Sequence, residues 1–576
     1  MNRTAVTHRA CSPYCYALNE NDVIITVRTA KDVERVYIIC EDPFIHELKR
    51  RREWFGEKRE MELSMELEEH YLWSIRITPR YKRLKYCFEL ESADQKCCLF
   101  ENRICDISEK DAADKQYFKF PWLNPSDVIS PPDWVKNTVW YQIMPDRYNR
   151  GSRFEKNDKF RDWGDLTNPC YRDVYGGTLR GITEKLDYLR ELGVGGVYMT
   201  PIFLSPSDHK YDTIDYRQVD PDFGTEEDLR ELINEAHSRG MRIMLDAVFN
   251  HCGLGFAPWQ DVLKNGKASP YYKWFFINSD DFARPDFSTE DGRYFSFSFW
   301  SVMPKLNTNE PEVRRYFTDL VCYWAGELGI DGIRFDVGDE VSHTFVRELR
   351  QSVKAVKPDI YLLGEIWTDS ITWLNGTEYD SVMNYPFPGA VHDFWDDKKL
   401  DSRELMYSIN YCRSLYPRQI TETLFNFLDT HDTPRAMERC ENRDVLLQKL
   451  TILMTMPGTP CIYYGTEIAL LGIHPPYNRQ CMPWDSLGTI ENSLFREKVS
   501  RLAAMRREIP EFSGFDMVFH HREENRRLID YSKGNIRVII NAGEKETEID
   551  TGKEVIFSNR LQDGKLLQYG TAIIRY

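Results

Sequence analysis

A guanidinium and a carboxylate, Arg334 and Asp336, stand two residues apart near the end of the apolar segment "GIDGIRFDV". The apolar residues of this segment suit a buried strand. Residues i and i+2 of a strand point to the same side, so both charged groups face one space. A single pair of this kind is usually a structural ion pair, and only charged residues in equivalent places elsewhere would indicate a chemical role.

Polar side chains end three other apolar segments, "MLDAVFNH", "LLGEIW" and "FLDTHD". They are Asp246 and His251, Glu365 and Trp367, and His431 and Asp432. Taken singly, each has a structural interpretation: Asp246 as a support for loops, the histidines as hydrogen-bonded core residues, and Trp367 as packing. A cleft that gathers the carboxylates of Asp336, Glu365 and Asp432 costs stability through like-charge repulsion, so together they indicate an active site.

Three carboxylates without a set of metal ligands suit the cleavage of glycosidic bonds. This chemistry needs a nucleophile or base beneath the anomeric carbon and a protonated carboxyl beside the leaving oxygen. Phosphoryl transfer would require a glycine-rich phosphate loop, and a Ser-His-Asp hydrolase would require G-x-S-x-G. The sequence has no convincing form of either motif. Residue types alone therefore predict glycoside hydrolysis.

The elements that must position these residues alternate between strand-like and helix-like patterns from residue 135 to 498. Predicted strands include "TVWYQIM", "VGGVYMTP", "MRIMLDAVFNH", "IDGIRFDV", "IYLLGEIW", "TLFNFLDTHD" and "GTPCIYYG". The alternation predicts parallel βα units that close into a (β/α)8 TIM barrel, with its active site at the carboxyl ends of the strands. Residues 252–307 break the rhythm and are interpreted as a subdomain inserted after the third strand.

Short alternating strands flank this region and predict a multidomain protein. Residues 1–120, with "DVIITVRTA", "VERVYIIC", "YLWSIRITP" and "RLKYCFEL", are typical of a β-sandwich. The proline-rich residues 121–134 predict a linker. From about Arg501 short strands return, so residues 499–576 are assigned to a C-terminal β-domain, interpreted as a second sandwich.

Net charge and composition limit the kinds of partner that the protein is expected to bind and the cellular compartment in which it is expected to occur. A formal charge of −16 argues against nucleic acid or an anionic membrane as a partner, and neutral sugars remain compatible with it. The first residues contain no apolar core of a signal peptide, and no segment resembles a membrane span. Fourteen cysteines without metal-ligand spacing predict reduced thiols and a cytoplasmic protein.

The segments "DAVFNH", "GIRFDV", "GEIW" and "FLDTHD", in this order, resemble the four signature regions of the α-amylase family of glycoside hydrolases. The segment "MPKLN" before the fourth strand resembles the fifth region of the neopullulanase, cyclomaltodextrinase and maltogenic amylase branch. The first domain is similar to the starch-binding-like module of that branch. The resemblance covers most of the chain.

This resemblance implies a retaining mechanism with defined roles. Asp336 corresponds to the nucleophile, Glu365 to the acid/base and Asp432 to the carboxylate that stabilises the transition state. Arg334 would orient Asp336 and keep it ionised, since a nearby cation favours the charged form. The resemblance assigns substrate binding to His209, Tyr211, Asp212, Asp246, His251, Arg334, Trp367, His431 and Arg479.

The sequence also departs from the family pattern. Pro475 replaces the aspartate of the D-P-x-N-R motif, which removes a carboxylate usually available to sugar hydroxyls. The usual V-A-N-E after the nucleophile is "VGDE". Asn149 and Asp165 remain as candidate calcium ligands in a loop that otherwise lacks the calcium-binding pattern, so the resemblance requires no cofactor and leaves Ca²⁺ as an option.

The resemblance predicts an enzyme that hydrolyses α-1,4 bonds in cyclomaltodextrins and maltooligosaccharides, with pullulan or starch as further candidate substrates. Two alternatives stay open: a transglycosylase that uses the same intermediate, and a non-catalytic glucan-binding relative, against which the intact carboxylates argue. Proteins of this branch often pair so that one N-terminal domain walls the partner's cleft. The resemblance therefore also implies a homodimer through the N-terminal domain, with α-glucan oligosaccharides as the ligands.

Overall fold

The computed structural model describes residues 1–109, 114–284 and 286–576, and the chain divides into two compact units. The first comprises Met1–Pro131, Leu374–Gly376 and Leu400–Thr421. The second comprises Pro132–Trp373, Thr377–Lys399 and Glu422–Tyr576. Among the described residues, no helix is long and apolar enough to cross a membrane.

Two antiparallel sheets form most of the first unit and confirm the predicted β-sandwich. One sheet has the strand order Cys15–Ala17, Val23–Ala30, His70–Ile77 and Glu62–Glu66. The other has the order Glu57–Glu60, Val33–Glu41, Leu84–Ser92, Lys96–Leu99 and Ile104–Asp106, with Phe118–Phe120 beside Leu84–Ser92. Alternate apolar side chains such as Val23, Ile25 and Val27 are fully buried in the core between the sheets, as the period of a strand requires.

The first unit also contains a segment from the C-terminal half of the chain. Its helix Ser402–Ser414 begins with a capping box, in which Asp401 and Glu404 satisfy each other's backbone N–H groups. The Gln419 amide then donates to the carbonyl oxygens of Ala17 and Leu18, both at 2.8 Å. The sandwich is therefore hydrogen-bonded to a residue 401 to 402 positions away in sequence.

Eight short parallel strands form one sheet in the second unit. In chain order they are Trp140–Ile143, Gly196–Met199, Arg242–Ala247, Gly332–Phe335, Tyr361–Gly364, Ser381–Val382, Phe425–Phe427 and Thr459–Tyr463. Each pairs with its neighbours in parallel, and a bridge between Met383 and Phe425 joins the sixth strand to the seventh. The predicted TIM barrel is thereby confirmed.

Helices alternate with the barrel strands. The longer ones are Leu186–Leu192, Glu226–Ser238, Pro311–Tyr323, His343–Val356, Pro386–Asp396, Arg443–Thr455 and Ile490–Glu508, and the short helix Leu179–Thr183 precedes the first. Local signals fix their ends: Thr225 and Asp228 form a capping box, and Gly193, with a φ of 90°, ends the helix before the second strand. The segment 252–307, predicted to be an insertion, contains the helix Ala257–Asn265.

The C-terminal region contains one six-stranded antiparallel sheet. Its strands are Val518–Phe519, Leu528–Lys533, Ile536–Asn541, Thr547–Glu548, Glu554–Gln562 and Lys565–Arg575. The helix Ile490–Glu508 runs across the predicted boundary at 498–499, so strands do not begin at Arg501 as expected. Phe495, Val499 and Leu502 are buried at helical spacing, a period that the many charged residues between them conceal.

Candidate active site

Barrel strands carry the predicted carboxylates to one end of the barrel. Asp336 directly follows the fourth strand, Glu365 directly follows the fifth, and Asp246 lies next to the last residue of the third. Asp432 lies in the loop after the seventh strand. Since the carboxyl ends of parallel strands meet at one rim, these residues share the face on which barrel enzymes build their active sites.

Arg334 joins three of these carboxyl groups. Its Nη1 donates to Asp336 Oδ1 at 2.8 Å and to both oxygens of Asp246 at 2.8 and 2.9 Å. Its Nη2 lies 2.8 Å from Glu365 Oε2. The guanidinium is fully buried. One positive charge thus faces three carboxyl groups, and full ionisation would leave two net negative charges (1 − 3 = −2) in a buried space.

Burial changes the pKa values of the carboxyl groups in this cluster. Burial raises the pKa of the Asp336 carboxyl well above its usual range; the Arg334 guanidinium opposes the rise, and the Glu365 and Asp246 charges add to it. Burial raises the pKa of Asp246 too, again against Arg334. Arg334 acts in the direction predicted from the sequence, but burial outweighs it. Burial therefore disfavours the simultaneous ionisation of Asp336 and Asp246, and Arg334 is the group that opposes this effect.

The two oxygens of Glu365 have different surroundings. Oε2 accepts a hydrogen bond from the Val337 backbone N–H at 2.9 Å and contacts Arg334. Val337 has a φ of 48°, a rare conformation for a β-branched residue. Oε1 lies 3.0 Å from the Tyr385 hydroxyl and 3.3 Å from the Trp367 indole nitrogen. Oε2 therefore meets the Arg334 cation and a backbone N–H, and Oε1 meets two aromatic side chains that donate hydrogen bonds.

Tyr211 and His431 extend the cluster. Their rings stack with centroids 5.4 Å apart, and the Tyr211 hydroxyl lies 2.7 Å from His431 Nε2 and 2.9 Å from Asp246 Oδ2. Gln142 Nε2 lies 2.7 Å from His431 Nδ1. Burial lowers the pKa of His431 well below its usual range, so the ring is neutral. Gln142 donates to Nδ1, which places the hydrogen on Nε2.

Asp432 and Arg479 form the adjoining part of the site. Arg479 Nη2 donates to Asp432 Oδ1 at 3.1 Å, and its Nε donates to the His431 carbonyl oxygen at 2.9 Å. Asp432 Oδ2 lies 3.1 Å from His431 Nε2. The Asp432 side chain is 35% exposed, unlike the buried Asp336. It is therefore fixed by two neighbours and still open to a ligand.

Other predicted residues lie further from the carboxylates. Asp212 accepts hydrogen bonds from the hydroxyls of Ser205, at 2.6 Å, and Ser207, and the structure does not join it to the Arg334 cluster. His209 lies beside Tyr211, with ring centroids 5.9 Å apart. His251 stacks on Phe297, with centroids 4.8 Å apart. Burial lowers the pKa of His209 to about 4 and that of His251 to about 3, so both are neutral at pH 7.

The candidate calcium ligands have protein partners. Asp165 contacts Arg161 at 2.8 Å and accepts from the Thr167 backbone N–H at 2.9 Å. The Asn149 amide donates to the Gly181 carbonyl oxygen at 3.0 Å. Within the described ranges, no group of three or more His, Cys, Asp or Glu side chains could hold a metal ion. As placed here, Asn149 and Asp165 do not fit a calcium site.

Three site residues escaped the sequence analysis. Gln142 lies in the first strand, Tyr198 in the second, where its hydroxyl donates to Asp246 Oδ2 at 2.7 Å, and Tyr385 follows the sixth. A polar side chain inside an apolar strand was the available signal for the first two. Tyr385 had none, because its strand, Ser381–Val382, has only two residues.

The barrel, the sandwich and the carboxylate cluster together indicate a glycoside hydrolase. Comparison with protein-family models supports this class. A model of the alpha amylase catalytic domain matches residues 142–527, and a model of the alpha amylase N-terminal ig-like domain matches residues 1–124. The chain belongs to the alpha-amylase family.

Individual relatives narrow this assignment within the family. The chain is 38% identical over 594 residues to a maltogenic alpha-amylase of Bacillus acidopullulyticus, covering 100% of this chain and 98% of that protein. It is 40% identical over 511 residues to an intracellular maltogenic amylase of Bacillus subtilis, covering 88% and 85%. A solved cyclomaltodextrinase structure matches 100% of both chains, with a TM-score of 0.89 and 34% identity.

Proposed function

We propose that this enzyme hydrolyses α-1,4-glucosidic bonds in cyclomaltodextrins and maltooligosaccharides, with pullulan and starch as further substrates, and retains the anomeric configuration. One observation carries the proposal: a single buried guanidinium holds the carboxyls of Asp336 and Glu365. Two carboxyls on one guanidinium lie close together, which fits the separation of about 5 Å in retaining glycosidases.

The surroundings of the Asp336 and Glu365 carboxyls support a double displacement. Asp336 attacks the anomeric carbon as a carboxylate, and Glu365 acts in its protonated form and donates its proton to the leaving glycosidic oxygen, so the C–O bond breaks as the glycosyl–Asp336 ester forms. Glu365 then removes a proton from water, whose oxygen displaces Asp336 and restores both carboxyls. Arg334 contacts both residues and stabilises the charge as it moves between them.

Neighbouring groups would bind the sugar being cleaved. The exposed carboxylate of Asp432 and the N–H groups of Arg479 and neutral His431 offer acceptors and donors to sugar hydroxyls. The ring of Tyr211 offers a stacking face. On the leaving-group side, Trp367 is 55% exposed and stacks on Tyr385 with ring centroids 3.8 Å apart. A glucose unit held there after the first step would compete with water, which favours transglycosylation as a second activity.

The stereochemical outcome tests this proposal. Proton NMR during hydrolysis of maltotriose is expected to show the α-anomer of the new reducing end first, because two displacements on one carbon restore its configuration. Chromatography of the same samples measures transfer, which yields oligosaccharides longer than maltotriose. A β-anomer formed first would exclude the double displacement and, with it, nucleophilic attack by Asp336.

We further propose a cytoplasmic location and a homodimer. The first rests on the Bacillus subtilis relative that is named intracellular, and the second on the family resemblance. Sedimentation velocity at about 5 μM should give twice the chain mass of 68.1 kDa, whereas a species of 68.1 kDa at that concentration would contradict the dimer. Deletion of residues 1–125 is a poorer test, since it removes the carbonyl partners of Gln419.

A further inference from the structure

A half-exposed tyrosine lies at one end of a row of rings that starts at the carboxylates. Tyr171 is 50% exposed, and its ring meets His209 edge-on at a centroid distance of 6.0 Å. His209 stacks beside Tyr211 at 5.9 Å, and Tyr211 stacks on His431 at 5.4 Å. The row therefore runs from the reacting centre outward to Tyr171.

Buried ion pairs fix the position of Tyr171. Its carbonyl oxygen accepts the backbone N–H of Asp208 at 3.0 Å, and the Asp208 carboxylate contacts Arg147 at 2.6 Å. Arg147 also donates to the carbonyl oxygen of Arg479 at 2.8 Å. Arg147 and Asp208 are both almost fully buried. The loop of Tyr171 and the segment of Arg479 are thus held together by one internal guanidinium.

Arg479 supplies a polar group beside the Tyr171 ring. Its guanidinium carbon lies 5.9 Å from the ring centroid, and among the described residues its buried Nη1 has no hydrogen-bond partner. An aromatic face beside a free guanidinium N–H suits a sugar, whose C–H face packs on the ring while a hydroxyl accepts the hydrogen bond.

We propose that Tyr171 is a specificity-determining residue that contacts the glucose unit next to the cleaved one on the donor side. His431, at the inner end of the ring row, contacts Asp432 and Arg479. The leaving-group carboxyl Glu365 instead contacts Trp367 and Tyr385. This inference rests on the proposed function and names a residue of its donor site.

The test compares two substrates that differ by one glucose on the donor side. p-Nitrophenyl α-glucoside places a single glucose at the cleavage point, and p-nitrophenyl α-maltoside adds the next one. Tyr171→Ala is expected to lower kcat/KM for p-nitrophenol release from the maltoside about tenfold and to change the glucoside value less than about twofold. Tyr171→Phe should stay near wild type, because it keeps the ring.

Control variants separate sugar contact from folding. Tyr411→Ala removes a similarly exposed tyrosine (54% exposed) from the helix Ser402–Ser414. This variant should leave kcat/KM for both substrates unchanged. If Tyr171→Ala unfolds, Tyr171→Leu replaces it and should show the same selective loss. Equal losses on both substrates, or none, would overturn the role of Tyr171. A wild-type enzyme inactive on both substrates and on maltotriose would instead overturn the proposed function on which this role depends.

Discussion

Replacing Asp336 with asparagine is expected to lower kcat on maltotriose by about four to six orders of magnitude, the scale of losses when a covalent nucleophile is removed. The amide is nearly the same size but cannot form the glycosyl ester. The variant should fold, because the substitution removes one of three carboxyl groups that share the single charge of Arg334. We therefore expect a thermal midpoint equal to or above that of the wild type, measured by circular dichroism.

Asp331→Asn is a matched control at the opposite end of the same strand. Asp331 precedes the fourth strand, is almost fully buried, and contacts Arg242 and Lys357, both at 2.9 Å. Hydrogen bonds from His237 and the Ile243 backbone and the charge of Lys357 outweigh burial and lower the pKa of Asp331.

The control should show the opposite pattern. The neutral amide leaves the cations Arg242 and Lys357 without the carboxylate that they contact in the wild type. Asp331→Asn should therefore lower the thermal midpoint, while kcat changes little. The Asp336 assignment would be wrong if Asp336→Asn, purified free of other glucosidases, hydrolysed maltotriose at the wild-type rate.

Local sequence patterns predicted the parts of the fold that depend on neighbours along the chain. The third, fourth, fifth and seventh barrel strands carry apolar runs that end in polar residues, and each was predicted as a strand. The sixth strand, Ser381–Val382, is set by pairing with Leu363 and Gly364. Two residues are too few to show a period. The sequence analysis therefore missed both this strand and Tyr385, which follows it in the chain.

Local sequence patterns also predicted only part of the carboxylate cluster. Spacing within the fourth strand predicted that Arg334 and Asp336 face one space. The contacts of Arg334 with Asp246 and Glu365 depend on strand register, which pairs Arg334 with Asp246 across the sheet and which no local pattern contains. The arrangement of three carboxyls around one cation could therefore not be predicted from the sequence.

Glu365→Gln is expected to be the second most damaging substitution, with a loss that depends on the leaving group. On maltotriose, whose leaving sugar needs a proton, kcat/KM should fall about 10³- to 10⁴-fold, at the upper end of general acid catalysis. On 2,4-dinitrophenyl α-maltoside, whose phenolate leaves without protonation, attack by Asp336 should be nearly unimpaired. Stopped-flow measurement should then show a rapid burst of dinitrophenol followed by slow turnover, because glutamine cannot activate the water of the second step.

Azide separates the two roles of Glu365, since it is a nucleophile that needs no general base. It should restore turnover of the dinitrophenyl substrate and yield a glycosyl azide, without restoring cleavage of maltotriose. Glu378→Gln provides the control: this buried carboxylate accepts from Arg347 at 2.7 Å, so its loss should reduce stability without discriminating between the substrates. If Glu365→Gln loses the same factor on both substrates and azide changes neither rate, Glu365 is not the proton donor.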